Sequence, residues 1–470
     1  IVTGAGAISD LAQNGIQIGY GAGGSITGNT ISGNDCIVNP DCTADPTSAS
    51  NADGAAGILL YLPGTSTVTV DGNTLTGNQF GIWTVGATDV SITGNGVAGG
   101  ASSNGIAIWD CDQWCSAGDA VGTTGMISGN DISGHAYGVL QRDFDAGAPV
   151  PAVAVHNNSI TGAATYGAWS NVALNATDNW WGSANGPAHA TNRFNVGAQG
   201  AAVSDNVTFV PWLDAAPPAG VSFAPVTTTS PIGQYASIQA GVNASSGGGT
   251  VNAAAGTFTE NVTVGTEVTI AGAGQASTFV IPQMSAANPC AGSSLCGGLA
   301  SNVFLVQANN VALRDLTADG DNPTLTSGIV RAGADLDARN GIITNHSAGV
   351  FNNLTVHDVT VKNIYLRGVY ASSGGSFNFH DNTVQNVQGE YASIAIFNFG
   401  GAGIIQDNTV SDANDAIASN WSQGTQYLGN VVTNSGSGVH TDNNGGSGGV
   451  ADLIQGNTVS NCSAGGYGIW

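Results

Sequence analysis

Charged residues are scarce in this chain, so their one dense grouping stands out. Between Arg314 and Asn340 the text reads RDLTADGDNPTLTSGIVRAGADLDARN, which sets Asp315, Asp319, Asp321, Asp335 and Asp337 beside Arg314, Arg331 and Arg339. Clustered carboxylate oxygens are the hard ligands that Ca²⁺ takes. Calcium is therefore the cofactor these residues could hold, and no other is required. The plainer use of the same residues is mutual neutralisation, since exposed Arg–Asp pairs are common and weak. Carboxylates two apart occur at Asp110 and Asp112 and at Asp143 and Asp145. On a strand that spacing puts both on one face, where a general acid and base would stand, but a solvated strand has the same look. The His residues are scattered, with His440 in GVHTDNN. No catalytic cluster converges in the sequence, so no catalytic residue is assigned and the chain reads more readily as a non-enzyme.

Six of the 7 Cys fall into close pairs, Cys36 with Cys42, Cys111 with Cys115 and Cys290 with Cys296, each bracketing a loop rich in Gly, Pro, Asp or Ser. Disulfides pinning surface excursions in an oxidising compartment are expected; metal ligation is the competing use, though no His flanks them at zinc-like spacing. Cys462 is left over, either for an interchain bond or as a buried thiol.

What must position these residues is a repeat. One unit reads NTISGN at Asn29 and NTLTGN at Asn73, with variants at Asp89, Asn130 and Asn158, and it returns at Asn382, Asn408, Asn430 and Asn457. A second unit follows it: NGIQI at Asn14, FGIWTV at Phe80, NGIAIW at Asn104, YGVLQ at Tyr137 and YGIW at Tyr467. The steps fit one coil of a solenoid carrying at least two short strands. Alternation points Ile and Val inward and Thr and Ser outward. Asn and Gly at corners tolerate left-handed turns, and stacked Asn side chains can bond along the axis.

The pattern breaks at DNWWGSANGP, Asp178 to Pro187, and its tail DNVTFVPWL, Asp205 to Leu213. Trp180, Trp181 and Trp212 read as plugs over an open last rung, which would otherwise expose unpaired backbone; a sugar-stacking platform is the alternative. The predicted domains are 1–214, a first solenoid closed by 178–213; 215–231, a Pro-, Ala- and Thr-rich linker; and 232–470, a second solenoid opened by a capping helix near Tyr235 to Ala244.

The segment Ile232 to Gly274 resembles the N-terminal part of pectin-lyase-fold, right-handed parallel β-helix proteins, and the NTISGN units resemble their short repeats. The NWWGSANGP stretch with FVPWL resembles the closing segment of secreted bacterial β-helix repeat proteins. The resemblance implies an all-β, right-handed parallel β-helix in two solenoid segments joined by a capping segment and linker. Lyases of that superfamily use Asp-held Ca²⁺ with Arg or Lys as base; this chain has Lys362 and six Arg, Arg142, Arg193, Arg314, Arg331, Arg339 and Arg367. The hydrolase template, with Gly-His-Gly and Arg-x-Lys, has no match in the sequence.

A net charge of −24 excludes nucleic acid, and no apolar run is long enough for membrane insertion. The sequence opens and closes in mid-coil, and YGIW followed by IVTGAGAIS would continue the strand pattern. Either the chain is a window of a longer repeat protein, or Ile469 and Trp470 of one copy stack on Ile1 and Val2 of the next in an open-ended fibre. The expected role is a secreted, cell-surface or matrix structural or adhesive filament with its own copies as partners. The competing role is a polysaccharide-active enzyme or carbohydrate-binding module.

Overall fold

The computed structural model describes residues 1–7, 13–36, 47, 54–111, 121–144, 150–443, 449–463 and 466–470. Cys42, Asp112, Cys115 and Asp145 lie outside the described residues. The chain divides into two compact units, Ile1–Phe223 and Ala224–Trp470.

The first unit winds three parallel sheets of six, six and seven strands. Successive strands belong to successive sheets, so each coil contributes one strand to each. The first sheet runs through Thr30–Asp35, Thr74–Thr76, Gly96–Ala98, Asp131–Ser133 and Ser159–Thr161. These are the NTISGN units, and their central residues Ile31, Leu75, Val97, Ile132 and Ile160 lie in register and are all buried. The second unit motif supplies another such column, Ile58, Ile82, Ile106, Val139 and Ala168. Each buried aliphatic side chain is worth about 1.5–3 kcal/mol against exposure, so the stacked columns are the main source of stability. Gly105 shows why the residue before each inward aliphatic of the second motif is small. A Cβ there would meet the Gly138 carbonyl oxygen at 2.3 Å.

The corner before each NTISGN strand carries an Asn ladder. Asn29, Asn73, Asn95, Asn130, Asn158 and Asn179 each donate from Nδ2 and from the backbone N–H to the Oδ1 of the next, until Asn179. Asn179 belongs to the closing segment and ends the ladder on the Val155, Ala176 and Thr177 carbonyls. Beyond it Trp181 and Trp212 are fully buried. Trp212 donates from Nε1 to Ala184 O (2.9 Å) and meets Phe223 edge-on. This pair is a plug; Trp180 is half-buried and bridges Ser159.

The expected linker at 215–231 is not loose. Trp212–Leu213 pairs antiparallel with Ser222–Phe223 in the first unit. Val226–Thr229 pairs antiparallel with Ile232–Tyr235 and with Gly249–Ala253 in the second. The Pro- and Ala-rich composition hid the β-branched run VTTT, which pairs readily with an open edge.

In the second unit the helix Ile238–Ala244 covers the first coils, with Ser237 as N-cap. The buried carboxylate of Glu260 accepts the free N–H groups of Ile238 and Gln239 at 2.7 and 2.9 Å, where the helix dipole favours negative charge. Parallel sheets follow, with inward columns such as Leu313, Val356, Phe379, Ile405 and Tyr427. A second Asn ladder joins Asn382, Asn408, Asn430 and Asn457. Cys290 and Cys296 form a disulfide closing an excursion, with Cα atoms 5.6 Å apart. Cys36 and Cys111 are also disulfide-bonded, while Cys462 is a free, half-buried thiol.

Candidate functional site

One sheet of the second unit stacks Asn302–Val306, Asn340–Thr344, Arg367–Ala371, Ile394–Phe399, Asp415–Ser422 and Ser437–Asn443. The inward column is Ile342, Val369, Ile396, Ile417 and Val439. Pleating turns the next residues outward: Tyr370, Phe397, Ala418 and His440 form one outer column. Arg367, Ile394, Asp415 and Ser437 form another in register. The YGIW piece adds the last rung, because Val439 bridges Ile469 and Trp470 N–H donates to Val439 O at 2.9 Å.

Between these columns lies a cavity of about 620 Å³ lined by Arg367, Tyr391, Phe397, Asp415, Asn420, His440, Tyr467 and Trp470 among others. The Arg367 guanidinium donates to Ala392 O and lies over the Phe397 ring, 4.8 Å from its centroid. Its Nε–H is buried with no protein partner, and burial pulls its pKa down to about 10. His440 Nδ1 is 3.3 Å from Asp415 Oδ2, while Asp415 Oδ1 is buried without a partner. The Trp470 ring packs on His440 at 4.5 Å and on Tyr467 at 5.2 Å, the latter nearly parallel. The result is a groove with an aromatic floor, one desolvated cation and one carboxylate–imidazole pair.

The sequence missed this convergence. His440 stood among scattered histidines, Arg367 was one cation of several, and Asp415 drew no notice. The signal was the second motif continued through RGVYA, IAIFN, DAIAS and SGVHT, which keeps its inward residues and varies at the outward ones.

The expected calcium residues are placed otherwise. Asp315 is paired with its neighbour Arg314. Asp319 pairs with Lys362 at 3.0 Å and accepts from Asn363. The Asp335 carboxylate accepts from Ser327, Gly328 and Ile329, and the Ser327 hydroxyl chiefly holds its pKa low. Asp337 accepts the Asn322 N–H. Asp321 alone has its carboxyl pushed up, by burial and then by Asp319, Asp337 and Asp335. Among the described residues no three His, Cys, Asp or Glu side chains are gathered to hold a metal ion. The excursion folds its carboxylates onto its own N–H groups and cations. Asp110 and Asp143 are both buried rather than displayed. Of the expected end-contact residues, Ile1 is exposed and Val2 pairs with Ile31, while Ile469 and Trp470 build the groove's last rung.

Coils that stack strand on strand in parallel sheets define a parallel β-helix repeat protein. No protein family and no curated protein matches the sequence. Among solved structures the chain is similar to a pectin methylesterase from Erwinia chrysanthemi at 14% identity, covering 44% of this chain and 62% of that one, TM-score 0.29. It is also similar to a pectin methylesterase from Yersinia enterocolitica (12% identity, 49% and 92% covered, TM-score 0.32). A PL6 family alginate lyase gives 11% identity, 93% and 77% covered and TM-score 0.27. The chain thus spans less than two thirds of the Erwinia enzyme's length.

Proposed function

We propose that the second unit binds an extended acidic polysaccharide in the groove bounded by Arg367 and Trp470. The observation that carries this is the outward row on one sheet of a desolvated guanidinium, stacked aromatic rings and a His–Asp pair. Aromatic faces suit the apolar faces of pyranose rings, with a few polar groups fixing orientation. The desolvated Arg367 guanidinium suits a uronate carboxylate, since charge-assisted bonds are the strong ones. From Arg367 to Tyr467 the groove crosses four rung steps, about 19 Å at ~4.8 Å each, the shape of a chain rather than of a compact metabolite.

The same distances favour recognition over cleavage. Hydrolysis by paired carboxylates needs two across one bond, and Asp415 is the carboxylate among the described lining residues. Elimination would need a base and a cation at one sugar, and the Arg367 and His440 backbones are three rungs apart, about 14 Å. Of the two roles left open by the sequence, the groove supports the polysaccharide reading. An extracellular setting fits both this ligand and the Cys290–Cys296 disulfide.

Titration calorimetry with hexagalacturonate tests the proposal. Trp470→Ala and Arg367→Ala are each expected to weaken binding by about tenfold or more, with no unsaturated product released by any form. Absence of binding to the unmodified chain, or binding by both variants as tight as that of the unmodified chain, would sink it.

A further inference from the structure

The first unit carries the groove's two outer positions a second time. Its second-motif strands place Tyr137 under Tyr166 and Leu140 under Trp169 in register. Tyr166-Gly167-Ala168-Trp169 thus stands where Tyr467-Gly468-Ile469-Trp470 stands in the other unit. The Tyr137 and Tyr166 rings are nearly parallel, 6.3 Å apart. The closing segment folds up beside them through the bridges Ala168–Val203 and Ala188–Ala202. Ser204 Oγ accepts the Ser170 N–H at 2.9 Å and Asn206 donates to Ser170 O at 3.0 Å. The space between rings and wall is a cavity of about 570 Å³ lined by Tyr166, Trp169, Asn171, His189, Asp205 and Asn206 among others.

We infer that this cavity is a second carbohydrate site, selective for uncharged sugars. It does not depend on the reading given to the second unit. Tyr166 and Trp169 are half-buried, which leaves ring surface for a pyranose face. The wall is fixed: His189 is mostly buried, its Nε2 3.1 Å from Asp205 Oδ1, and its ring packs at 5.5 Å on Phe209. Asp205 is 98% exposed in its side chain, so its remaining oxygen is open to sugar hydroxyl donors. A carboxylate at the rim accepts hydroxyl protons and repels a uronate. No Arg or Lys stands among the described lining residues to reverse that preference. The two grooves share an aromatic floor and differ in the ion above it, which sets the ligand each accepts.

Calorimetry on the full chain with cellohexaose and with hexagalacturonate tests this site. Trp169→Ala is expected to weaken cellohexaose binding by about tenfold or more and to leave hexagalacturonate binding within about twofold. Asp205→Ala, at an exposed position, should weaken cellohexaose alone. Trp470→Ala should leave cellohexaose unchanged, so failure of one site is distinguishable from failure of the other. If the unmodified chain ignores cellohexaose, or if Asp205→Ala and Trp169→Ala both bind it at full strength, the inference is overturned.

Discussion

His135 shows how one residue can be read through its place in the repeat. It takes the position in NDISGH that Asn34 and Asn78 take in their units. Asn78 donates to Ile31 O at 3.2 Å, and His135 Nε2 lies 3.1 Å from Val97 O. The imidazole is almost fully buried, with Nδ1 2.8 Å from Ser103 Oγ. Burial pushes its pKa below the ordinary value, and His346 is lowered for the same reason. The unfolded chain therefore takes up these protons first as pH falls. Stability present above the unfolded pKa of about 6.5 is lost progressively below it, as pH drops toward the folded value. We expect the thermal midpoint to fall between pH 7 and pH 5, and His135→Gln to flatten part of that slope. An unchanged slope in the variant would show that His135 does not contribute.

At the scale of the element, the corner ladder does what turn propensity alone does not. Asn95 accepts from Asn73 N–H and Nδ2 and donates to Val70 O, Thr93 O and Asn130 Oδ1, all at 2.9 Å. Removing its side chain leaves several buried groups unpaired, each at about 1–3 kcal/mol. Asn95→Ala is expected to cost about 2–5 kcal/mol in denaturant titration, with the slope little changed. Thr74→Ala, on the exposed side of a neighbouring strand, should stay within about 0.5 kcal/mol. A loss under about 1 kcal/mol for Asn95→Ala would mean that water replaces the ladder. The helix Ile238–Ala244 applies the same rule at a solenoid end, with Glu260 and Ser237 completing its first turn. These elements were legible because their chemistry is local. The Asn and Gly types, the alternation and the bulky Trp all follow from needs met within one coil or between neighbours.

For the whole molecule, charge opposes the proposed acidic ligand at long range. A net charge of −24 repels a polyanion, and salt screens that repulsion, with a Debye length of about 30 Å at 0.01 M and about 8 Å at 0.15 M. The Arg367 guanidinium is desolvated, so a carboxylate bound there would be screened less. Association with hexagalacturonate is expected to quicken as salt rises over that range, while cellohexaose shows no such trend. A fall in association rate with added salt would mean that a local cationic field outweighs the net charge.

The coil repeat, the inward columns, the closing segment and the capping helix were determined by the sequence itself. Each rests on a period or a residue type that a single coil must supply. The groove was decided by the tertiary structure alone. Arg367, Asp415, His440 and Trp470 are 103 positions apart from first to last, and they meet because parallel register stacks equivalent residues one rung apart. The outward positions Asp415 and His440 repeat no residue type from rung to rung, so they keep no pattern that could announce them. The Asp315 to Asp337 grouping shows the converse. Those carboxylates are close in sequence, yet the fold turns them toward its own N–H groups and cations, because a backbone excursion must satisfy its polar groups before it can serve a ligand.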